Sequence, residues 1–397
     1  MSGQVVGSPP RAAIVHRDPR LRSAALMLPL LMGACDPGSR PAGDARDAAL
    51  PALSAVADPA IQPAEEANTP TRRQEVAWRG MAIQLREGPA ALDIYRPAIR
   101  EVAALGANTL LLSVAGYMEH ARAQAIYIEA RRCPSRPDLL TLIREARAQG
   151  LRTILMPIVL LKHPRGSEWR GVIDPPDWDE WWKDYRDFIK YFADIAREAE
   201  AEAFIVGSEL VSTEKHTAEW ETTIWTARAH FPGLLGYSAN WDHYRPIQFW
   251  HLLDFIGMTS YYKLADEKNP SVADIVARWQ PFKKEIMDWR QRVGKPLVLT
   301  EVGWCSQEGA AIYPWNYYQN MKATPAGHEE QRRLYEAFLQ VWDGTPWLLG
   351  VIWWEWTSSP GGPDDFNYTP RNKPAEQVLR RWFADGKPAL QPTDRSP

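Results

Sequence analysis

The chain has 397 residues, 45% hydrophobic and 24% charged, enough for one large core and within the range of a single α/β barrel domain. Its formal net charge is −3, with both signs mixed along the sequence. That balance excludes the basic field on which nucleic-acid binding depends.

In chain order, residues 1–35 read as an export signal. Arg20 and Arg22 precede the apolar run from Leu26 to Met32, and the small pair Gly33-Ala34 stands directly before Cys35. The run is too short to cross a bilayer as a helix. Its end resembles a bacterial lipobox, in which the cysteine is lipidated and becomes the mature N-terminus; ordinary signal cleavage near Ala34 is the alternative. The expectation is an exported protein, either secreted or held at the cell envelope as a lipoprotein, touching a membrane only through Cys35. Residues 36–74 are rich in Ala, Pro, Asp and Glu and lack aromatic side chains. Such a segment buries too little apolar surface to order itself, and is expected to be a tether.

From residue 75 to 385 short β-rich runs alternate with longer amphipathic stretches, the pattern of repeated βα units. The expected strands are Arg79–Leu85, Thr109–Val114, Arg152–Val159, Ala203–Gly207, Leu234–Ala239, Phe255–Ser260, Pro296–Thr300 and Leu348–Trp354. Between them Val272, Ile275, Val276 and Trp279 share a helical face, and Pro281 is expected to restart a second set with Phe282, Ile286 and Trp289. Leu334, Phe338, Val341 and Trp342 form another such face. Gly106, Gly150, Gly233 and Gly294 precede strands, where a helix must stop. Eight units with this rhythm predict an α/β fold of the (β/α)8 TIM barrel type. The turn after the first strand, Gln84 to Gly88, lacks the glycine pattern of a dinucleotide fold. Residues 386–397 are expected to be a disordered tail.

Two glutamates stand at predicted strand ends. Ala203 to Ser208 leads into Glu209, and Pro296 to Thr300 leads into Glu301. Reactive groups of such barrels sit at the C-terminal ends of strands, where an unpaired buried carboxylate would otherwise be costly. Glycosidic cleavage needs one protonated and one ionised carboxyl group, about 5–5.5 Å apart in retaining enzymes. The aromatic content, 19 Trp, 14 Tyr and 10 Phe, suits the same chemistry, because flat rings pack on the C–H faces of sugars. Rings at helical spacing read as core, and those in loops after strands as candidate platforms.

The ordered motifs from Arg79 to Phe383 resemble a clan A glycoside hydrolase, closest to glycoside hydrolase family 113, whose known members are chiefly β-mannanases. They include Trp169-Arg170-Gly171, Gly207-Ser208-Glu209-Leu210, Tyr237-Ser238-Ala239-Asn240-Trp241, Ser260-Tyr261-Tyr262, Thr300-Glu301-Val302-Gly303 and Gly350 to Trp356. The resemblance implies Glu209 as acid/base and Glu301 as nucleophile in double displacement on a β-linked, mannose-containing glycan, with no cofactor or metal. Much of the clan carries Asn before the acid/base. Here Ser208 stands there, which bears on how the sugar 2-hydroxyl is held.

Tyr261 or Tyr262, of which strand alternation lets only one point inward, is placed to donate to Glu301, with Tyr261 favoured. Asn240 and Trp241 suit a sugar subsite, Trp304 is a further substrate-binding candidate, and Trp354, with Trp356 as its competitor, is the platform at the cleavage point. The loop Cys305 to His328, with Tyr313, Trp315, Tyr317 and Tyr318, is expected to build or cover the site. Glu355 is a third carboxylate near the mouth, read as not catalytic. His163, His216 and His243 lack metal-ligand spacing. Cys133 and Cys305 either pair or stay buried thiols. The expected partner is an oligo- or polysaccharide bound by a monomer. A binding barrel that has lost catalysis, and a transglycosylase with the same residues, are the alternative readings.

Overall fold

The computed structural model describes residues 77–385 apart from 317 and 319. The signal segment with Cys35, the tether, the tail and Tyr317 lie outside the described residues. Eight parallel strands, β1 (Trp78–Leu85), β2 (Thr109–Met118), β3 (Arg152–Leu161), β4 (Ala203–Ser208), β5 (Leu234–Ala239), β6 (Phe255–Thr259), β7 (Leu297–Val302) and β8 (Leu348–Trp353), close in sequence order. β8 returns to pair with β1, Trp78 opposite Gly350. The chain is therefore a (β/α)8 barrel.

Side-chain alternation makes two cores. Ala82, Leu111, Ile154, Ile205, Phe255 and Val298 fill the barrel interior, while their chain neighbours Met81, Leu112, Leu155, Phe204, Ile256 and Leu299 face the helices. The helices are α1 (Ala91–Leu105), α2 (Arg136–Ala148), α3 (Trp178–Glu198), α4 (Thr217–His230), α5 (Val272–Val293), α6 (Pro325–Trp342) and α7 (Pro374–Asp385). They pack on the strands through the apolar stripes visible in the sequence: Leu334, Phe338, Val341 and Trp342 of α6 are all buried.

Three expectations need correction. Pro281 does not restart a helix; α5 runs through it. Both Pro281 and Ala277, whose carbonyl loses its bond four residues back, are solvent-exposed, so water can satisfy that carbonyl. Burial of Ile275, Trp279, Ile286 and Trp289 holds both halves on one axis. A capping box of Ser271 and Asp274 starts α5, and Gly294, at φ 75°, ends it in a conformation that favours glycine. The βα rhythm also fails once. Between β5 and β6 there is only a short 3-10 turn, Phe249–Leu252, whose Phe249 and Trp250 fill the space a helix would occupy. β2 and β3 outrun their expected ends because they stay in register through Met118 and Leu161.

Candidate active site

Glu209 leaves β4 with φ 53°, a left-handed conformation that costs a non-glycine residue about 1 kcal/mol or more. Surrounding contacts over-determine it. Its own N–H donates to the Ser238 carbonyl of β5 at 2.8 Å, and the next N–H, of Leu210, donates to the Tyr237 hydroxyl at 3.0 Å. Its carboxylate accepts from the Arg170 guanidinium at 2.5 Å, and the same guanidinium reaches the Ser208 carbonyl at 3.2 Å. Arg170 sits in a 3-10 turn after β3 and is only 5% exposed. With both partners that deep, the ion pair is screened by little water.

Glu301 lies within β7 itself, 1% exposed. The ladders to β6 and β8 slip in register around it, as the β4–β5 ladder slips before Ser208. Such irregularities re-aim side chains, here at both carboxylate-bearing strands. Tyr261 donates its hydroxyl to Glu301 at 3.0 Å. Burial and the negative charge of Glu209 push Glu301 above the ordinary carboxylate range, while Arg170 and the Tyr261 bond pull it back. Glu301 therefore holds its proton more tightly than an ordinary carboxyl.

The other predicted residues divide by which side of the barrel wall they face. Tyr261 and Trp354 belong to the interior cluster. Ser208 aligns with Ser238 of β5, and its buried hydroxyl has no hydrogen-bond partner among the described residues. Asn240 uses its amide locally: it donates to Asp242 and accepts from the Trp241 N–H. Trp241 is half-buried at the rim and stacks on Trp315 with ring centroids 5.7 Å apart.

Three candidates turn away from the mouth. Tyr262 packs on Trp279 and Phe282 of α5 and donates to the Trp241 carbonyl. Trp304 packs against Tyr335 and Phe338 of α6. Trp356 donates to Glu101 of α1, with Arg371 over its ring. Each stands beside an inward residue or in a loop that doubles back, so the strand period that turns a neighbour inward turns these into the helix layer. They are corrected from substrate contacts to packing.

The loop after β7 ends at α6, which begins at Pro325. Its first half is pinned by Glu330 of α6, fully buried, which accepts from the N–H groups of Gly309, Ala311 and Asn269. Cys133 and Cys305 are both buried free thiols. Cys305 lies in the interior cluster and Cys133 in the outer one, on opposite sides of the wall. Glu355 is held at the mouth by Gln84, beside Arg86, and burial raises its proton affinity. Among the described residues no group of three His, Cys, Asp or Glu is placed to hold a metal ion.

Sequence reasoning gave Arg170 and Tyr237 no role, although both fell inside quoted motifs. It also passed over Glu214, a buried carboxylate just beyond β4 that burial raises to about 7 against hydrogen bonds from Tyr237 and His243. No local pattern marks any of them, because their partners come from other strands.

Acidic groups at the ends of strands four and seven of a closed barrel suit cleavage of a glycosidic bond. Together with the match to a family of such enzymes, they define the chain as a (β/α)8 glycoside hydrolase. It belongs to Glycoside Hydrolase Family 113, whose model matches residues 87–373.

Among solved structures, a family 113 β-mannanase from Alicyclobacillus acidocaldarius in complex with ManMIm is 28% identical. The match covers 78% of this chain and 98% of that one, with a TM-score of 0.70. A second family 113 enzyme, described as a β-1,4-mannanase, is 23% identical over 77% of this chain and 98% of its own, at a TM-score of 0.69. The endo-β-1,4-mannanase from Thermotoga petrophila, at 10% identity, 80% and 78% coverage and a TM-score of 0.52, shares the fold alone. No curated protein sequence matches the chain.

Proposed function

We propose that the chain is a retaining glycosidase acting on β-1,4-mannan or a related mannose-containing glycan. The observation that carries this reading is the pair of buried glutamates, one gripped by Arg170 and one by Tyr261, with Glu209 near enough for its charge to act on Glu301. In the first step the Glu301 carboxylate attacks the anomeric carbon, the bond to the leaving oxygen breaks, and Glu209 gives that oxygen its proton. In the second step Glu209 takes a proton from water, which attacks the same carbon and releases Glu301.

This sequence requires a proton on Glu209 and the anion on Glu301, whose proton affinity burial raises. A sugar hydroxyl donated to Glu301, and the positive charge that develops at the anomeric carbon, both favour the Glu301 anion. Trp354 serves as the floor beneath the cleaved sugar, and the stacked Trp241 and Trp315 as a rim platform. The preference for mannose draws on the similar structures described as β-mannanases. Export, with lipidation at Cys35, completes the reading, as does a monomer.

The test is to digest β-1,4-mannan and follow the anomeric protons by NMR from the first minutes. A β reducing end appearing first, then mutarotating, supports retention; an α end appearing first overturns it. Absence of hydrolysis on mannan, with cleavage of xylan or β-glucan instead, would move the substrate and leave the mechanism standing.

A further inference from the structure

The strained turn at Glu209 is held from behind by groups the reaction scheme does not use. Leu210 N–H donates to the Tyr237 hydroxyl at 3.0 Å, and that hydroxyl donates its own proton to Glu214 at 2.6 Å. The other oxygen of Glu214 meets His243 Nδ1 at 2.7 Å. Tyr237 has no exposed surface, and its ring is fixed edge-on against Trp220 and Phe249. Glu214 is 2% exposed and follows the 3-10 turn Val211–Thr213, so the loop leaving β4 folds back and bonds to β5. A phenolic hydroxyl both accepts and donates, so it can stop a backbone N–H and be stopped in turn by a carboxylate. An aliphatic side chain could fill the space and would hold nothing.

We propose that Tyr237 and Glu214 are positioning residues that clamp the Glu209–Leu210 backbone and so keep the Glu209 carboxyl aimed at the leaving oxygen. The inference rests on the retaining reading above. Proton delivery is the step most sensitive to this clamp, because a donor displaced by a fraction of an ångström loses its hydrogen-bond geometry while attack by Glu301, anchored on β7, is untouched.

The experiment compares the full-length enzyme with its Tyr237→Phe and Glu214→Gln variants on a β-1,4-manno-oligosaccharide and on a dinitrophenyl β-mannobioside, whose dinitrophenolate departs without protonation. For Tyr237→Phe, kcat/KM on the oligosaccharide should fall at least about tenfold, part of the roughly 10²–10⁴ that a positioned proton donor supplies. On the aryl substrate kcat/KM should change less than about threefold, because its first step needs no acid. Azide should raise the variant's kcat on the aryl substrate, because it replaces water without needing a base, and should leave the parent's unchanged. Equal losses on both substrates, or no response to azide, would overturn the inference. If Tyr237→Phe does not fold, Glu214→Gln, which preserves shape and leaves the tyrosine in place, is read by the same two criteria. A parent enzyme inert on both substrates would bring down the retaining mannanase reading itself, and the inference with it; an active parent with unselective variants would bring down the inference alone.

Discussion

Glu209 and Glu301 are equally buried, and their partners separate them. Arginine contacts one and a tyrosine hydroxyl the other. Glu209→Gln should abolish turnover of substrates with poor leaving groups while sparing the first step on an activated aryl glycoside. Steady-state rates on the two substrates measure the split, and parallel losses would remove Glu209 from the acid role. Glu301→Ala should lose several orders of magnitude in turnover, and added azide should then yield the α-glycosyl azide from the vacated face.

Glu301 also leaves a trace in stability. Its folded-state proton affinity is raised by burial, so its contribution is complete at low pH, where both states are protonated. That contribution is lost as pH rises from about 4.5, because the unfolded chain ionises first. Glu301→Gln removes this loss. Its melting temperature should exceed the parent's at about pH 8, with the gap closing toward about pH 4.5. Differential scanning at the two pH values checks it, and a pH-independent gap contradicts the assigned burial cost.

At the scale of elements, the loop between β7 and α6 shows how a long connection stays ordered. Glu330 supplies acceptors for three backbone N–H groups, two at the start of the loop and one from the segment before α5. Farther along, Gln307 accepts from the N–H groups of Asn320 and Met321. Glu330→Ala leaves the N–H groups of Gly309 and Ala311 buried and unpaired, at about 1–3 kcal/mol each if neither finds water, while that of the exposed Asn269 can turn to solvent. Urea unfolding should show a loss of about 2 kcal/mol or more, and oligosaccharide KM should rise as Trp315 loses its seat beside Trp241. A loss under about 1 kcal/mol would mean that water takes over these bonds. The same scale explains α5, where four large buried side chains outweigh one proline whose freed carbonyl faces solvent.

For the whole molecule, a closed barrel has no sheet edge, and its two cores are separated by the strand wall. That wall keeps Cys133 and Cys305 apart as thiols, so export to an oxidising compartment would not join them. Expression in a bacterium should place the parent protein in the membrane fraction, and Cys35→Ser should move it to the soluble fraction; equal membrane retention of the two would remove the lipid anchor.

The sequence by itself determined the barrel, the strand ends that carry Glu209 and Glu301, and the inward choice of Tyr261. Periodicity and strand position are local properties, and each strand shows its two faces in its own residues. It did not determine which aromatic residues reach the mouth. Trp304 and Trp356 stand in loops whose course is set by what they pack against, Tyr335 in one case and Glu101 in the other. Nor could it show that Arg170, Tyr237 and Glu214 converge on Glu209. Those contacts join β3, β4 and β5 and their loops, and the ladder between β4 and β5 slips register before Ser208, which re-aims the chain leading into Glu209. Only the tertiary pairing of neighbouring strands reveals that slip, because a strand's own residues do not show which partner positions they meet.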